Sequence, residues 1–219
     1  MYQATIIGHR GAHGHRENTM PSFELALELG ADGVELDVHR SGDGQLVVVH
    51  SAVASGLAVK SNPYENYRNL PDGYEIPLFE DVLKTLSGRT FLDIELKEPG
   101  FEEQAIELIQ KYADPARVMI SGFHTVMLNR VYDLLPDIRL GYIYNKTQDE
   151  ELRHNSPIDF VIPQFRLASR QLIEEVHDED LQVFAWTVND EREMGRLLSL
   201  GVDGIITDKP GLLAKVLGR

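Results

Sequence analysis

Apolar positions along the chain follow two alternating rhythms. Short runs of strand-like composition occupy 4–8 (ATIIG), 33–38 (GVELDV), 46–50 (LVVVH), 90–96 (TFLDIEL), 117–123 (RVMISGF), 138–144 (IRLGYIY), 159–165 (DFVIPQF), 181–188 (LQVFAWTV) and 203–207 (DGIIT). Between most of them, apolar residues recur every three or four positions. These stretches are 20–30 (MPSFELALELG), 77–88 (PLFEDVLKTLSG), 101–113 (FEEQAIELIQKYA), 124–135 (HTVMLNRVYDLL), 169–179 (SRQLIEEVHDE), 190–201 (DEREMGRLLSLG) and 210–218 (PGLLAKVLG). That spacing predicts amphipathic helices, with a weaker pattern at 147–154 (TQDEELRH). Repeated strand–helix units predict a parallel sheet covered by helices.

Nine strand candidates is one more than a closed eight-stranded barrel takes. Residues 33–38 and 46–50 are joined through Ser41-Gly42-Asp43-Gly44, too short for a parallel crossover but right for an antiparallel hairpin. With 46–50 set aside, the expectation is a (β/α)8 TIM barrel with an accessory hairpin strand after strand 2. A doubly wound open sheet is the alternative, but no glycine-rich phosphate loop follows any strand. No linker or low-complexity tract interrupts the chain, so 1–219 is expected to form a single domain. One long stretch, 51–75, lacks either rhythm, and loops of that length often carry function.

Composition narrows the function classes. With 21 basic and 35 acidic side chains the formal net charge is −14, which argues against nucleic acid or an anionic membrane as partner. No stretch is long and apolar enough for stable membrane insertion. The absence of cysteine removes disulfides and thiolate metal sites. The N-terminus MYQATIIGHRG lacks a charged n-region and a long apolar run, so it reads as a first strand and the expected location is cytoplasmic.

Polar residues collect where barrel strands end, which is where barrel chemistry sits. Strand one runs into Gly8-His9-Arg10-Gly11. The next strand carries Glu35, Asp37 and His39 on one face, and 90–96 carries Asp93 and Glu95, followed by Lys97, on one face. Counting back from the hairpin turn places His50 opposite Glu35. Clustered carboxylates repel each other, and a hard divalent cation resolves the repulsion, so Glu35, Asp37 and Glu95 are candidate ligands for Mg2+ or Ca2+. A metal-free arrangement fits the same residues, with Glu35 paired to Arg10 and Glu95 to Lys97. His9 and His50 have the pKa range for proton transfer near neutrality, and Arg10 and Lys97 suit an anion such as phosphate. Trp186 is a candidate apolar wall over a small substrate. Asn18-Thr19 reads as a helix start, Asp208 as a cap on the last helix. His13, His15, His124, His154 and His177 read as surface or structural residues.

Taken together, these segments resemble the glycerophosphodiester phosphodiesterase family. The resemblance rests on His9-Arg10-Gly11, ENTMPSFELALELGADGVELDV, DGQLVVVH, YEIPLFEDVL, LDIELK, AWTVN and GVDGIITDKP, occurring in that order from His9 to Pro210. It implies a (β/α)8 barrel, one divalent metal, and hydrolysis of glycerophosphodiesters to sn-glycerol 3-phosphate and an alcohol, through a cyclic phosphate. It further implies that Glu35, Asp37 and Glu95 ligate the metal, that His9 and His50 are the general acid and base in an order left open, and that Arg10 and Lys97 hold the phosphate.

The chain departs from the family pattern in three places. Arg16 stands where the family has proline, Ser51 follows His50 where the family has aspartate, and 51–75 lacks the usual Arg-Thr-Thr segment. Loss of the aspartate is expected to leave His50 less well oriented or to lower its pKa. Two alternatives stay open: a lysophospholipase D-like enzyme whose acyl channel would use Leu57, Val59, Tyr64 and Tyr67, and a barrel that binds phosphodiesters without turnover. The head group, the metal and the oligomeric state are not specified by the sequence.

Overall fold

The computed structural model of the chain describes residues 4–70, 73–146 and 155–219. Eight parallel strands close into a ring: β1 (Thr5–Gly8), β2 (Gly33–Arg40), β6 (Phe91–Leu96), β7 (Val118–Gly122), β8 (Arg139–Tyr144), β9 (Phe160–Pro163), β10 (Gln182–Ala185) and β11 (Gly204–Thr207). β1 pairs with β11 on one side and β2 on the other, which completes the barrel. Helices α1 (Met20–Glu28), α3 (Phe79–Leu86), α4 (Glu102–Tyr112), α5 (Thr125–Leu134), α6 (Arg170–Asp178), α7 (Glu191–Leu200) and α8 (Pro210–Val216) follow strands around the outside. The weak helical pattern at 147–154, with His154, lies outside the described residues.

β3 (Leu46–Val48) runs antiparallel to β2 outside the ring, as the hairpin turn predicts. It is shorter than the apolar run suggests. The ladder pairs Val38 with Val48, and that register would set His50 opposite Leu36 rather than Glu35. The chain instead leaves the ladder after Val49, whose N–H donates to the Asp37 carbonyl.

Residues 51–75 are less irregular than their sequence reads. β4 (Val53–Ala54) and β5 (Leu57–Ala58) form a small hairpin, followed by a 3-10 turn at Val59–Ser61 and a single helical turn, α2 (Glu65–Arg68). Ser55 and Gly56 both take positive φ, the backbone a two-residue hairpin turn requires. Val47, Val59, Tyr67, Leu70 and Ile76 bury themselves in a small core of their own under this excursion.

The period of two divides the barrel strands cleanly. Val34, Leu36 and Val38 of β2 and Leu92, Ile94 and Leu96 of β6 join the large core shared with the helices. Ile7, Met119, Ile143, Phe160, Ile162, Phe184 and Ile206 fill the inside of the barrel. On β2 and β6 the inward positions are acids instead, and the parallel register sets Glu35 beside Asp93 and Asp37 beside Glu95.

Candidate active site

The alternation of acids along GVELDV is explained by this placement. Glu35 and Asp37 of β2 and Glu95 of β6 stand on adjacent strands, and each offers a carboxylate oxygen within 4.8 Å of the others. All three are buried. Burial, and then repulsion from Asp37, Glu95 and Asp93, pushes Glu35 well above the ordinary carboxylate range against the pull of Arg10. Burial and Asp37 raise Glu95 to about 7. Asp37 goes the other way: Lys97, Arg10 and an Asn18 hydrogen bond outweigh the burial that would raise it.

Two cations enter the cluster. Lys97 Nζ lies 2.6 Å from Glu95 and 3.2 Å from Asp37. Arg10 Nε lies 3.1 Å from Asp37, and its Nη1 donates to Glu17 at 2.9 Å. The metal-free pairing read from the sequence is therefore half present. Glu95 does meet Lys97, but Glu35 takes the backbone N–H of Arg10 at 2.8 Å rather than its guanidinium. Two cations do not balance the buried acids, and Asp37 Oδ1, fully buried, has the Lys97 ammonium at 3.2 Å but no aligned hydrogen bond. Three buried oxygen donors with residual negative charge and no thiolate fit a hard divalent cation, so this group could hold one.

The loop after β1 is shaped for close approach. Arg10 takes positive φ, and its carbonyl accepts from Ser22 Oγ. A Cβ on Gly11 would lie 2.4 Å from Ser22 Oγ, so only glycine fits there. Thr19 caps α1 in a reciprocal capping box with Ser22, with Pro21 in the first turn, as Asn18-Thr19 predicts. Asn18 does more than precede the cap. Its amide donates to Asp37 Oδ2 at 2.8 Å and its Oδ1 accepts from the Asp37 N–H, which clamps that carboxylate.

His9 follows β1 directly, and its Nδ1 meets Asp208 Oδ1 at 2.7 Å. Asp208 does not cap the last helix, whose N-cap position is Lys209. Its second oxygen accepts from Asn189, and its N–H donates to Asn189 Oδ1. Burial would raise Asp208, but His9 and Asn189 hold it below its ordinary range. The sequence offered a signal for this pair, since both residues sit at strand ends that meet only when the ring closes.

His50 reaches the site from the hairpin by its loop. Its pKa is lowered by burial and by Arg10 and Lys97, with Asp37 and Glu17 opposing. A cleft of about 160 Å3 opens beside it, lined by Arg16, Glu17, Asn18, Tyr74 and Ile76 among others. Arg16, the departure from the family proline, lies 3.6 Å over the Tyr74 ring and ties the β1–α1 loop to the excursion. Trp186 caps the interior apolar cluster, donates to the Ile162 carbonyl at 3.0 Å, and meets Phe123 edge-on at 5.8 Å. His39, on the same face as Glu35 and Asp37, turns to Glu98 and the His50 carbonyl instead. His177 pairs with Asp203.

The family model for glycerophosphoryl diester phosphodiesterases matches residues 9–212. This chain belongs to that family. It is similar to a glycerophosphodiester phosphodiesterase of Caldanaerobacter subterraneus, 33% identical over 98% of each chain. It is equally similar to one of Bacillus altitudinis, 33% identical over 96% of this chain and 97% of the relative. Among solved structures it is similar to an Oleispira antarctica phosphodiesterase in complex with the product sn-glycerol-3-phosphate. That structure is 25% identical, with TM-score 0.89, over 100% of this chain and 98% of that one. The chain is accordingly an enzyme of the glycerophosphodiester phosphodiesterase class, on the (β/α)8 barrel expected of it. Among the described residues no helix is long and apolar enough to cross a membrane.

Proposed function

We propose that the chain, acting as one domain over 1–219, hydrolyses glycerophosphodiesters to sn-glycerol 3-phosphate and an alcohol with one divalent cation, Mg2+ or Ca2+, held by Glu35, Asp37 and Glu95. The observation that carries the reading is the convergence at one barrel rim of three buried carboxylates, two cations and two histidines. The Oleispira neighbour bound to sn-glycerol-3-phosphate supports the same product here.

When bound, the cation supplies a Lewis acid that offsets charge on the phosphoryl oxygens. Arg10 and Lys97 present cationic N–H donors to those oxygens. The Trp186–Phe123 pair forms an apolar wall at the rim. His9, with Asp208 fixing its ring and ready to balance an imidazolium, takes the proton of the neighbouring glycerol hydroxyl as that oxygen attacks phosphorus. His50, beside the open cleft, gives a proton to the departing alcohol oxygen as the phosphorus–oxygen bond breaks. Water then opens the cyclic phosphate with the two roles exchanged. Burial lowers the His50 pKa, and an anionic phosphate placed beside it favours the charged form that gives the proton.

Of the four residues of the acyl-channel reading, only Leu57 is an exposed apolar side chain. Val59 and Tyr67 face their own small core, and the Tyr64 hydroxyl bonds Glu75 and the Ile76 carbonyl.

The test strips the enzyme with a chelator and measures glycerol 3-phosphate release from glycerophosphocholine after Mg2+ or Ca2+ is restored. Release should return with the cation and fall by about 10²- to 10⁴-fold in His9→Ala, the usual worth of one acid–base group. Glu35→Gln should lose its response to the cation. A folded wild type that binds the cation and releases nothing would remove this substrate and leave the binding-only barrel.

A further inference from the structure

His50 sits where the β2–β3 ladder has already ended, and its neighbour Ser51 is exposed. Proton transfer needs a fixed ring, so something else must hold this stretch of chain. The structure shows two ties. One is the last rung, Val49 N–H to the Asp37 carbonyl at 2.9 Å. The other is the His39 side chain, whose Nε2 lies 3.2 Å from the His50 carbonyl oxygen.

His39 is itself held. It is buried, 5% exposed, on β2 two residues beyond Asp37. Its Nδ1 meets a Glu98 carboxylate oxygen. The other Glu98 oxygen accepts the Arg40 N–H at 3.3 Å, so the loop after β6 is tied to the end of β2. Both ring nitrogens of His39 thus face oxygen acceptors. Nε2 is thereby placed against the His50 carbonyl, and Glu98 holds the opposite edge of the ring.

We infer that His39 and Glu98 are positioning residues for His50: Glu98 fixes the His39 ring, and the ring grips the His50 carbonyl and so aims the His50 imidazole into the site. The inference rests on the proposed proton-transfer role of His50. It gives His50 an anchor in a chain that carries Ser51 where the family has aspartate. Orientation reaches His50 through its main chain, from a rigid strand, rather than from a carboxylate on the next residue. A displacement of about 1 Å at a reacting group can cost 10²-fold in rate, so one main-chain hydrogen bond at this point is worth having.

The experiment compares wild type, His39→Ala, His39→Gln, His50→Ala and the His39→Ala/His50→Ala double variant, each saturated with the activating cation and with glycerophosphocholine as substrate. His39→Ala should lower kcat about 10- to 100-fold while KM and the half-activating cation concentration stay within about threefold. His39→Gln, whose amide N–H can still donate to the His50 carbonyl, should recover most of kcat. In the His50→Ala background the second substitution should cost nothing more, because the two act as a unit. Hydrogen exchange of the peptide covering 49–55 should quicken in His39→Ala and not in His39→Gln.

Wild-type kcat in His39→Ala, or an undiminished loss in His39→Gln, overturns the inference while leaving the reading of the site intact. A changed cation requirement with normal kcat at saturation also overturns it, by assigning His39 to the carboxylate cluster. If His50→Ala itself turns over like wild type, the reading of the site falls and the inference with it.

Discussion

At the scale of single residues, the acids inside the barrel are where the chain departs furthest from ordinary packing. Asp93 is one of them. It is fully buried, Ser121 satisfies one oxygen at 2.6 Å, and the other has no hydrogen-bond partner. Burial raises its pKa to about 7, with Glu95 and Asp37 adding to the rise and the Ser121 bond opposing it. The sign follows directly. The unfolded chain gives up this proton near the ordinary value, and the folded chain keeps it until about pH 7. The favourable contribution is therefore complete below about pH 4 and lost as pH rises to about 7. Asp93→Asn, which cannot ionise, should gain stability relative to wild type as pH rises. In chelator the difference should grow by up to about 4 kcal/mol between pH 4 and pH 8, the shift converted at 1.36 kcal/mol per unit. Urea unfolding at the two pH values checks this. A pH-independent difference would mean that Asp93 ionises freely.

At the scale of elements, the excursion after β3 is a satellite with its own core rather than a loose loop. Tyr67 is fully buried within it, and its hydroxyl lies 3.5 Å from the Leu57 carbonyl. Truncating a buried aromatic costs about 3–5 kcal/mol, which a cluster this small cannot absorb without local opening. Tyr67→Ala should therefore raise protease sensitivity within 51–76 and lower kcat, because His50 immediately precedes this segment and Ile76 lines its cleft. The barrel itself should unfold at nearly the wild-type midpoint. Limited proteolysis beside thermal unfolding separates the two effects, and a large common loss would show that the excursion is part of the main cooperative unit.

At the scale of the whole molecule, a net charge of −14 and a buried triad of acids work against compactness together. Salt should relieve only the first. A divalent cation at about 100 times its Kd should add about 2.7 kcal/mol by mass action, or roughly 5–10 °C for a chain of this size. That shift should exceed the effect of NaCl at matched ionic strength and vanish in Glu35→Gln. An equal shift in Glu35→Gln would reduce the cation to a screening ion.

The sequence by itself determined what is local. Alternation at Glu35 and Asp37, and at Asp93 and Glu95, marks one face of each strand because side chains alternate every residue. The Ser41–Gly44 turn marks the hairpin because no parallel crossover is that short. The glycines flanking His9-Arg10 mark a tight bend. The eight-strand count followed from these, and the order of family-like segments marked the candidate metal and phosphate residues. Tertiary structure alone decided which distant groups meet. His9 finds Asp208 199 positions away only because β1 pairs with β11 on closure. Asn18 clamps Asp37 only because the β1–α1 loop folds back over the end of β2. His39 turns to Glu98 and His50, away from the acids with which it shares a face, because the chain leaves the ladder after Val49. Periodicity records which side of its own strand a residue faces. It holds no record of what arrives there from the rest of the ring.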